Sequence, residues 1–154
     1  MLEGIKKLHF VGIGGVGMSA IAEVMLDKGY EISGSDLSES AVVKHLKAKG
    51  ATIYKGHDAL NVEGKEALVL SSAIHQDNPE LVAAKAKGLK LFHRSDILAY
   101  LLNDAKGIAV AGAHGKTTTS SMISVVLEHA KVDPTILIGG FVDYLKGNAK
   151  LGKS

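Results

Sequence analysis

A chain of 154 residues with 46% hydrophobic side chains, 22% charged ones and a formal charge of +2 can build one real core and at most a small second unit. That charge is too small, and its lysines too evenly spread, to indicate a nucleic-acid partner. No apolar run nears the ~18 residues of a membrane span, and no signal-peptide core precedes the first apolar segment. Zero cysteines exclude disulfides and thiolate chemistry, which suits a reducing compartment and makes the cytoplasm the default location.

Lys-Gly recurs directly before short apolar or β-branched runs, at Gly29, Gly50, Gly88 and Gly107. Glycine accepts the left-handed backbone that ends a helix, so this repeat predicts alternating helices and strands around a parallel sheet. In chain order, 7–13 reads as a strand. The helix over 16–29 follows, with Ile21, Val24 and Met25 on its apolar face. A second strand covers 30–36, a helix over 38–50 is capped by Ser38 or Ser40, and a short strand covers 51–54. A fourth strand occupies 67–74. The next helix opens with Asn78 as cap, Pro79 in first place and Glu80 in its first turn. The fifth strand is 89–93, followed by a helix over 95–105 capped by Ser95. A fresh unit then begins with a strand at 107–112, a helix over 116–130 and a strand at 133–140. Five strands by residue 93 complete a small α/β sheet, which divides the chain into units 1–104 and 105–154.

Two glycine-rich loops sit between a strand and a helix. In "HFVGIGGVGMSA", Gly12, Gly14 and Gly17 have the G-x-G-x-x-G spacing of Rossmann-like doubly wound sheets, with Gly15 as a fourth glycine. Such a loop lets the backbone touch a pyrophosphate, and the helix start offers free N–H groups to the anion. Asp36 lies 19 residues beyond Gly17, where an acid commonly bonds a ribose hydroxyl. Pattern alone favours NAD here. The second loop, Gly112-Ala113-His114-Gly115-Lys116-Thr117-Thr118, is a phosphate loop two residues shorter than G-x-x-x-x-G-K-[ST]. Its Lys116 is spaced to reach β/γ phosphates, and its Thr117 to offer a hydroxyl to Mg²⁺.

Seven histidines (9, 45, 57, 75, 93, 114 and 129) show no metal-binding spacing, which argues against zinc. His57 and His75 follow the third and fourth strands, and Ser71 and Ser72 end the fourth. All lie at the carboxyl edge, where open α/β sheets bind ligands. Arg94 follows the fifth strand and can meet a phosphate or carboxylate, or simply pair with Asp96.

Taken together, "HFVGIGGVGMSAIAE", "SGSD", "SSAI…NPE" and "GIAVAGAHGKTTTSSM" resemble the Mur ligases of peptidoglycan synthesis, over essentially the whole chain. His114, together with the H-F-V-G-I-G-G opening, is most similar to the branch that adds L-alanine to UDP-N-acetylmuramate. The resemblance implies that the first unit holds the UDP moiety rather than NAD. It places Gly14, Gly15, Val16, Gly17, Met18 and Ser19 on the diphosphate. Asp36, His57, Ser71, Ser72 and Ala73 would surround the uridine side, with Arg94 near. Gly112 to Thr118 would bind ATP, with Lys116 and Thr117 acting in catalysis and Thr117 on Mg²⁺. Ala113 departs from the threonine of many relatives, but its backbone N–H can still serve. No acid after Lys116 closes an apolar strand, so the chain reads as an N-terminal fragment, able to bind the UDP substrate but not to turn over. Three other readings stay open: an NAD-binding regulatory or dehydrogenase domain, a non-catalytic P-loop interaction module, and the related ligases that recycle murein tripeptide.

Overall fold

The computed structural model describes residues 1–154. A five-stranded parallel sheet fills its first two thirds: β1 (Lys7–Val11), β2 (Glu31–Asp36), β3 (Thr52–Lys55), β4 (Ala67–Leu70) and β5 (Lys90–His93), in the order β3-β2-β1-β4-β5. Order reverses between β1 and β4, the switch point beside which doubly wound folds hold their ligands. Helices α1 (Val16–Asp27), α2 (Ala41–Ala48), α3 (Pro79–Ala86) and α4 (Arg94–Asn103) connect or follow the strands, and a 3-10 turn spans Ala59–Val62.

Side chains alternate across the strands and build two cores. Leu8, Phe10, Ile32, Ala67, Val69 and Phe92 join Ile21, Met25, Leu46, Ile97 and Leu101 from α1, α2 and α4 in the larger one. On the opposite face Val11, Leu68 and Leu70 meet Val62 of the 3-10 turn and Leu81 and Ala84 of α3. Gly29, Gly50 and Gly88 take φ of +91°, +111° and +68°, the left-handed helix ends that the Lys-Gly repeat predicts. Asn78 Oδ1 accepts from Glu80 N–H and caps α3, with Pro79 first in the helix. Ser40 rather than Ser38 caps α2, through Val43 N–H. Ser95 caps nothing: α4 starts at Arg94, with His93 at the cap position and Asp96 Oδ2 accepting the His93 N–H at 2.7 Å.

The last third departs further from expectation. Residues 107–115 carry no strand, Ile108 is 60% exposed, and Gly107 does not adopt positive φ. An extended segment needs a neighbour for its N–H and C=O groups, and neither sheet in the chain runs beside 107–112. Helix α5 (Lys116–His129) follows as expected. The expected parallel strand appears as β6 (Ile136–Val142), but it pairs antiparallel with β7 (Gly147–Lys150). This hairpin sits on α1: Ala149 enters the larger core, Leu137 and Leu151 pack on it, and Asn148 Nδ2 donates to the Val16 carbonyl at 2.7 Å. Helix α1 is thereby covered by the sheet on one side and by the hairpin on another.

A polar cluster lies under the sheet on the α3 face. Glu80, with no exposure to solvent, accepts four hydrogen bonds. His9 Nε2 (3.1 Å) and Asn61 Nδ2 (2.7 Å) reach Oε1, while Ser35 Oγ (2.6 Å) and His57 Nδ1 (2.9 Å) reach Oε2. Burial pushes the carboxyl up, but the bonds from His9, Ser35, Asn61 and His57 outweigh it and hold the pKa down at about 2. A carboxylate has about four acceptor sites, and here all are filled.

Two expectations follow. A Cβ at Gly34 would lie 2.7 Å from the Phe10 carbonyl and from Ile13 Cδ1, so Gly34→Ala costs about 1–3 kcal/mol in urea unfolding. Glu80 is held below its ordinary 4.5, so its charged form stabilises the fold above that value, and the contribution is lost as pH falls from 4.5 through about 2. Stability measured across that window should fall less steeply in Glu80→Gln than in the parent, from a lower starting value at neutral pH.

Candidate phosphate-binding sites

The first loop is built by close approach. Gly12, at φ +74°, turns the chain out of β1, and the N–H groups of Gly12 and Ile13 both donate to the Ser35 carbonyl of β2 (2.9 and 3.0 Å). Gly15 occupies the cap position of α1 with no side chain to fill it. The N–H groups of Val16, Gly17 and Met18 therefore find no acceptor in the chain. Three free donors at a helix start, with the helix dipole behind them, are the groups with which a helix can meet an anion, which makes this a candidate anion site.

Arg94 lies over this site. A Cβ at Gly17 would fall 2.6 Å from Arg94 Nη1 and 3.3 Å from Cζ, so the glycine makes room for the guanidinium. The pairing with Asp96 does not form, because Asp96 is turned to the His93 N–H. Arg94 thus adds a fixed positive charge to the free amides.

Three of the expected diphosphate donors are already engaged, Gly15 among them through its N–H on the Gly12 carbonyl at 3.2 Å. Gly14 N–H donates to Asp36 Oδ2 at 2.8 Å, and Ser19 faces inward, its N–H on Gly15 O and its hydroxyl on Val16 O. Asp36 also takes the Ser38 N–H and hydroxyl on Oδ1, so this carboxylate staples the loop to the end of β2. No sequence pattern separates that task from bonding a ribose. Met18 is buried and offers only its amide.

The uridine-side candidates share the same edge of the sheet. Ser71, half-buried, and the exposed Ser72 and Ala73 form a turn directly after β4, with Ser71 Oγ accepting the Ala73 N–H at 3.4 Å. The turn lies beside the first loop, for Ile74 Cδ1 is 3.6 Å from where a Cβ on Gly12 would sit. His57 follows β3, its Nδ1 within reach of both Ser35 Oγ (3.0 Å) and Glu80 Oε2. His75 is exposed and apart from this cluster of bonds. Sequence reasoning treated Glu80 as an ordinary first-turn acid and missed its role. The available signal was polar His9, Ser33 and Ser35 inside β1 and β2, the strands at the middle of the sheet.

The second loop is more open. Gly112 (φ +151°) and Gly115 (φ +80°) shape it, Gly115 caps α5 in left-handed conformation, and Gly112 through Thr118 are all exposed. The N–H groups of Lys116, Thr117 and Thr118 have no acceptor in the chain; Thr119 N–H is the first to close a helical bond, on Gly115 O. Lys116 Nζ folds back over the loop onto the carbonyls of Gly112 and Ala113, the latter at 3.0 Å. Thr117 lies against β6, its Cγ2 3.3 Å from where a Cβ on Gly140 would be. No group of three His, Cys, Asp or Glu side chains could hold a metal. The loop carries two side-chain hydroxyls, those of Thr117 and Thr118, both exposed.

Comparison with known proteins bears on both loops. The family model described as "Mur ligase family, catalytic domain" matches residues 7–106. A UDP-N-acetylmuramate–L-alanine ligase of Hydrogenobaculum sp. (strain Y04AAS1) is 57% identical over 152 residues, 99% of this chain and 34% of that protein. The ligase of the same name from Koribacter versatilis is 51% identical over 154 residues, 100% of this chain and 33% of its own. The chain thus spans about a third of the length of these relatives. Among solved structures, UDP-N-acetylmuramate–alanine ligase from Thermotoga maritima superposes with a TM-score of 0.89 at 36% identity, over 95% of this chain and 35% of that one. The UDP-N-acetylmuramate:L-alanyl-gamma-D-glutamyl-meso-diaminopimelate ligase of Neisseria meningitides also gives 0.89, at 32% identity over 96% of this chain and 47% of its own. The family match covers the parallel sheet and its glycine loop almost from end to end, and so this chain belongs to the Mur ligase family.

Proposed function

We propose that this chain is the nucleotide-holding part of an ATP-dependent ligase that joins L-alanine to the carboxylate of UDP-N-acetylmuramate in peptidoglycan synthesis, working in the cytoplasm where ATP is found. The observation that carries the proposal is a pair of helix starts, α1 and α5, each with three unpaired N–H groups and a basic side chain beside them. The alanine-adding assignment rests on sequence: relatives of that name reach 50–57% identity over at least 99% of this chain, and among solved structures the alanine ligase is 36% identical and the tripeptide-adding one 32%. Residues 1–104 form the unit for the UDP substrate and 105–154 the beginning of the ATP unit.

At the first loop the amides of Val16, Gly17 and Met18 and the Arg94 guanidinium hold the diphosphate. Asp36, His57 and the turn Ser71–Ala73 stand around the uridine side. At the second loop, the backbone of Gly112–Thr118 cradles the triphosphate of ATP. Lys116 exchanges the carbonyls of Gly112 and Ala113 for β/γ oxygens and stabilises charge on the phosphoryl group as it moves to the muramyl carboxylate. Mg²⁺, when bound through the Thr117 hydroxyl and ligands from elsewhere, neutralises phosphate charge. The alanine amine then attacks the acyl phosphate, forming the amide and releasing phosphate.

The NAD reading gains no support from the first loop. Asp36 already accepts three hydrogen bonds from Gly14 and Ser38, which leaves about one acceptor site where a ribose diol would use two. Calorimetry on the 154-residue chain tests the assignment: UDP-N-acetylmuramate should bind and NADH should not, and the reverse would overturn it. Arg94→Ala should weaken UDP-N-acetylmuramate about tenfold or more, the size of a lost charge-assisted hydrogen bond, without lowering the melting temperature. In the complete ligase Lys116→Ala should abolish alanine-dependent phosphate release while affinity for UDP-N-acetylmuramate stays within about twofold. A parallel collapse of that affinity would refute two separate phosphate sites.

A further inference from the structure

Glu80 touches neither phosphate loop, yet it is wholly buried and bonded to side chains from β1, β2, the loop after β3 and the 3-10 turn. An ionised carboxylate only accepts, so each of its four partners must donate. Asn61 and Ser35 do so through N–H and O–H. His9 must carry a proton on Nε2, and its Nδ1 lies 2.9 Å from Ser33 Oγ. His57 must carry a proton on Nδ1. Ser35 enforces the same choice, because its hydroxyl hydrogen points at Glu80 at 2.6 Å, leaving only its lone pairs for His57 Nδ1 at 3.0 Å.

The other nitrogen of His57 is free. Nε2 has no partner in the chain, and no buried side-chain nitrogen or oxygen lacks one, so Nε2 reaches the surface. The ring is 20% exposed and sits at the carboxyl edge that carries the first loop, Asp36 and Arg94. We infer that Glu80 is a positioning residue for base recognition, fixing His57 with its Nδ1–H inward so that Nε2 presents a hydrogen-bond acceptor to a ligand's ring N–H. That acceptor matches the imide N–H of a uracil base and opposes cytosine, whose corresponding ring nitrogen is itself an acceptor. A site built to pair with an N–H rejects an analogue lacking it, because a polar group is left unpaired. The inference rests on the uridine-nucleotide reading of the first loop and adds how the base is chosen.

The test uses the 154-residue chain with UDP and CDP as probes, and long-range ¹H–¹⁵N spectra of the imidazole rings at pH 8. His57 should show a protonated Nδ1 and a bare Nε2. UDP should bind about tenfold or more tighter than CDP, and His57→Ala should bring the two within about twofold. Glu80→Gln supplies an amide donor inside the cluster. It should alter the His57 ring spectrum and shrink the UDP-to-CDP ratio, yet leave that ratio unchanged when introduced into His57→Ala. Such non-additivity separates positioning from a general loss of stability. A parental Nε2–H tautomer, a ratio that survives His57→Ala, or an equal effect of Glu80→Gln with and without His57 would each overturn the inference. Should Glu80→Gln not fold, the parental spectrum and the His57→Ala ratio decide. Failure of the parent to bind UDP at all would instead sink the nucleotide reading of the loop, whatever the tautomer.

Discussion

Ser35 is the joint on which the first unit turns. Its carbonyl accepts the N–H groups of Gly12 and Ile13, drawing the loop against β2, and its hydroxyl donates inward to Glu80. One residue therefore ties the backbone of a phosphate loop to a buried charge. Uncompensated, that charge would be prohibitive in a dry interior. Four donors make it tolerable, and in doing so they fix the relative positions of β1, β2, the loop after β3 and the start of α3. The constraint is geometric as well as energetic: a carboxylate with all its acceptor sites filled tolerates little displacement of any partner.

The two helix starts solve the same problem under different packing. At α1 the loop is pinned from three sides, by Ser35, by Asp36 on Gly14 N–H and by Arg94 across Gly17, so its free amides are held in place before any ligand arrives. Such preorganisation lowers the ordering cost of binding. At α5 the loop is exposed and its lysine is bonded to the loop's own carbonyls. For the Lys116 ammonium to reach any anion at the helix start, those two contacts would have to break. The first loop is held in place by its neighbours and the second only by itself.

Most of the parallel sheet was legible because its signals are local. A glycine after a lysine-bearing helix end takes left-handed φ wherever it stands, as at Gly29, Gly50 and Gly88, and Asn78-Pro79 starts a helix by its own chemistry. Errors fell where the outcome depends on a neighbour. The apolar run 107–112 has strand composition but no strand beside it, whereas polar "GNAK" becomes β7 because β6 and α1 lie within reach. At the sites, glycine spacing located both loops. It could not say which amides would be free, since that turns on Asp36 reaching Gly14 and Ser19 folding inward. The role of Glu80 was hidden for the same reason: its four partners lie 19 to 71 residues from it in sequence.

Helix α1 also connects the two halves. Its N-terminus faces the first anion site, while along its length it supports the β6–β7 hairpin, whose Asn148 bonds the Val16 carbonyl in the first turn. Thr117 of the second loop rests on Gly140 of that same hairpin. The chain of contacts from one phosphate loop to the other is thus short and passes through packed, hydrogen-bonded elements: Val16, Asn148, β6, Gly140, Thr117. A ligand that shifts the first turn of α1 pulls on the carbonyl that Asn148 holds. A ligand that moves Thr117 presses on Gly140, where a Cβ would already sit 3.3 Å from the Thr117 methyl. Mechanical continuity of this kind does not by itself measure coupling, which requires a differential effect of one ligand on the affinity of the other. It does name two ways such an effect could travel: the Asn148 bond to the Val16 carbonyl, and the packing of Leu137, Ala149 and Leu151 against the core beside α1.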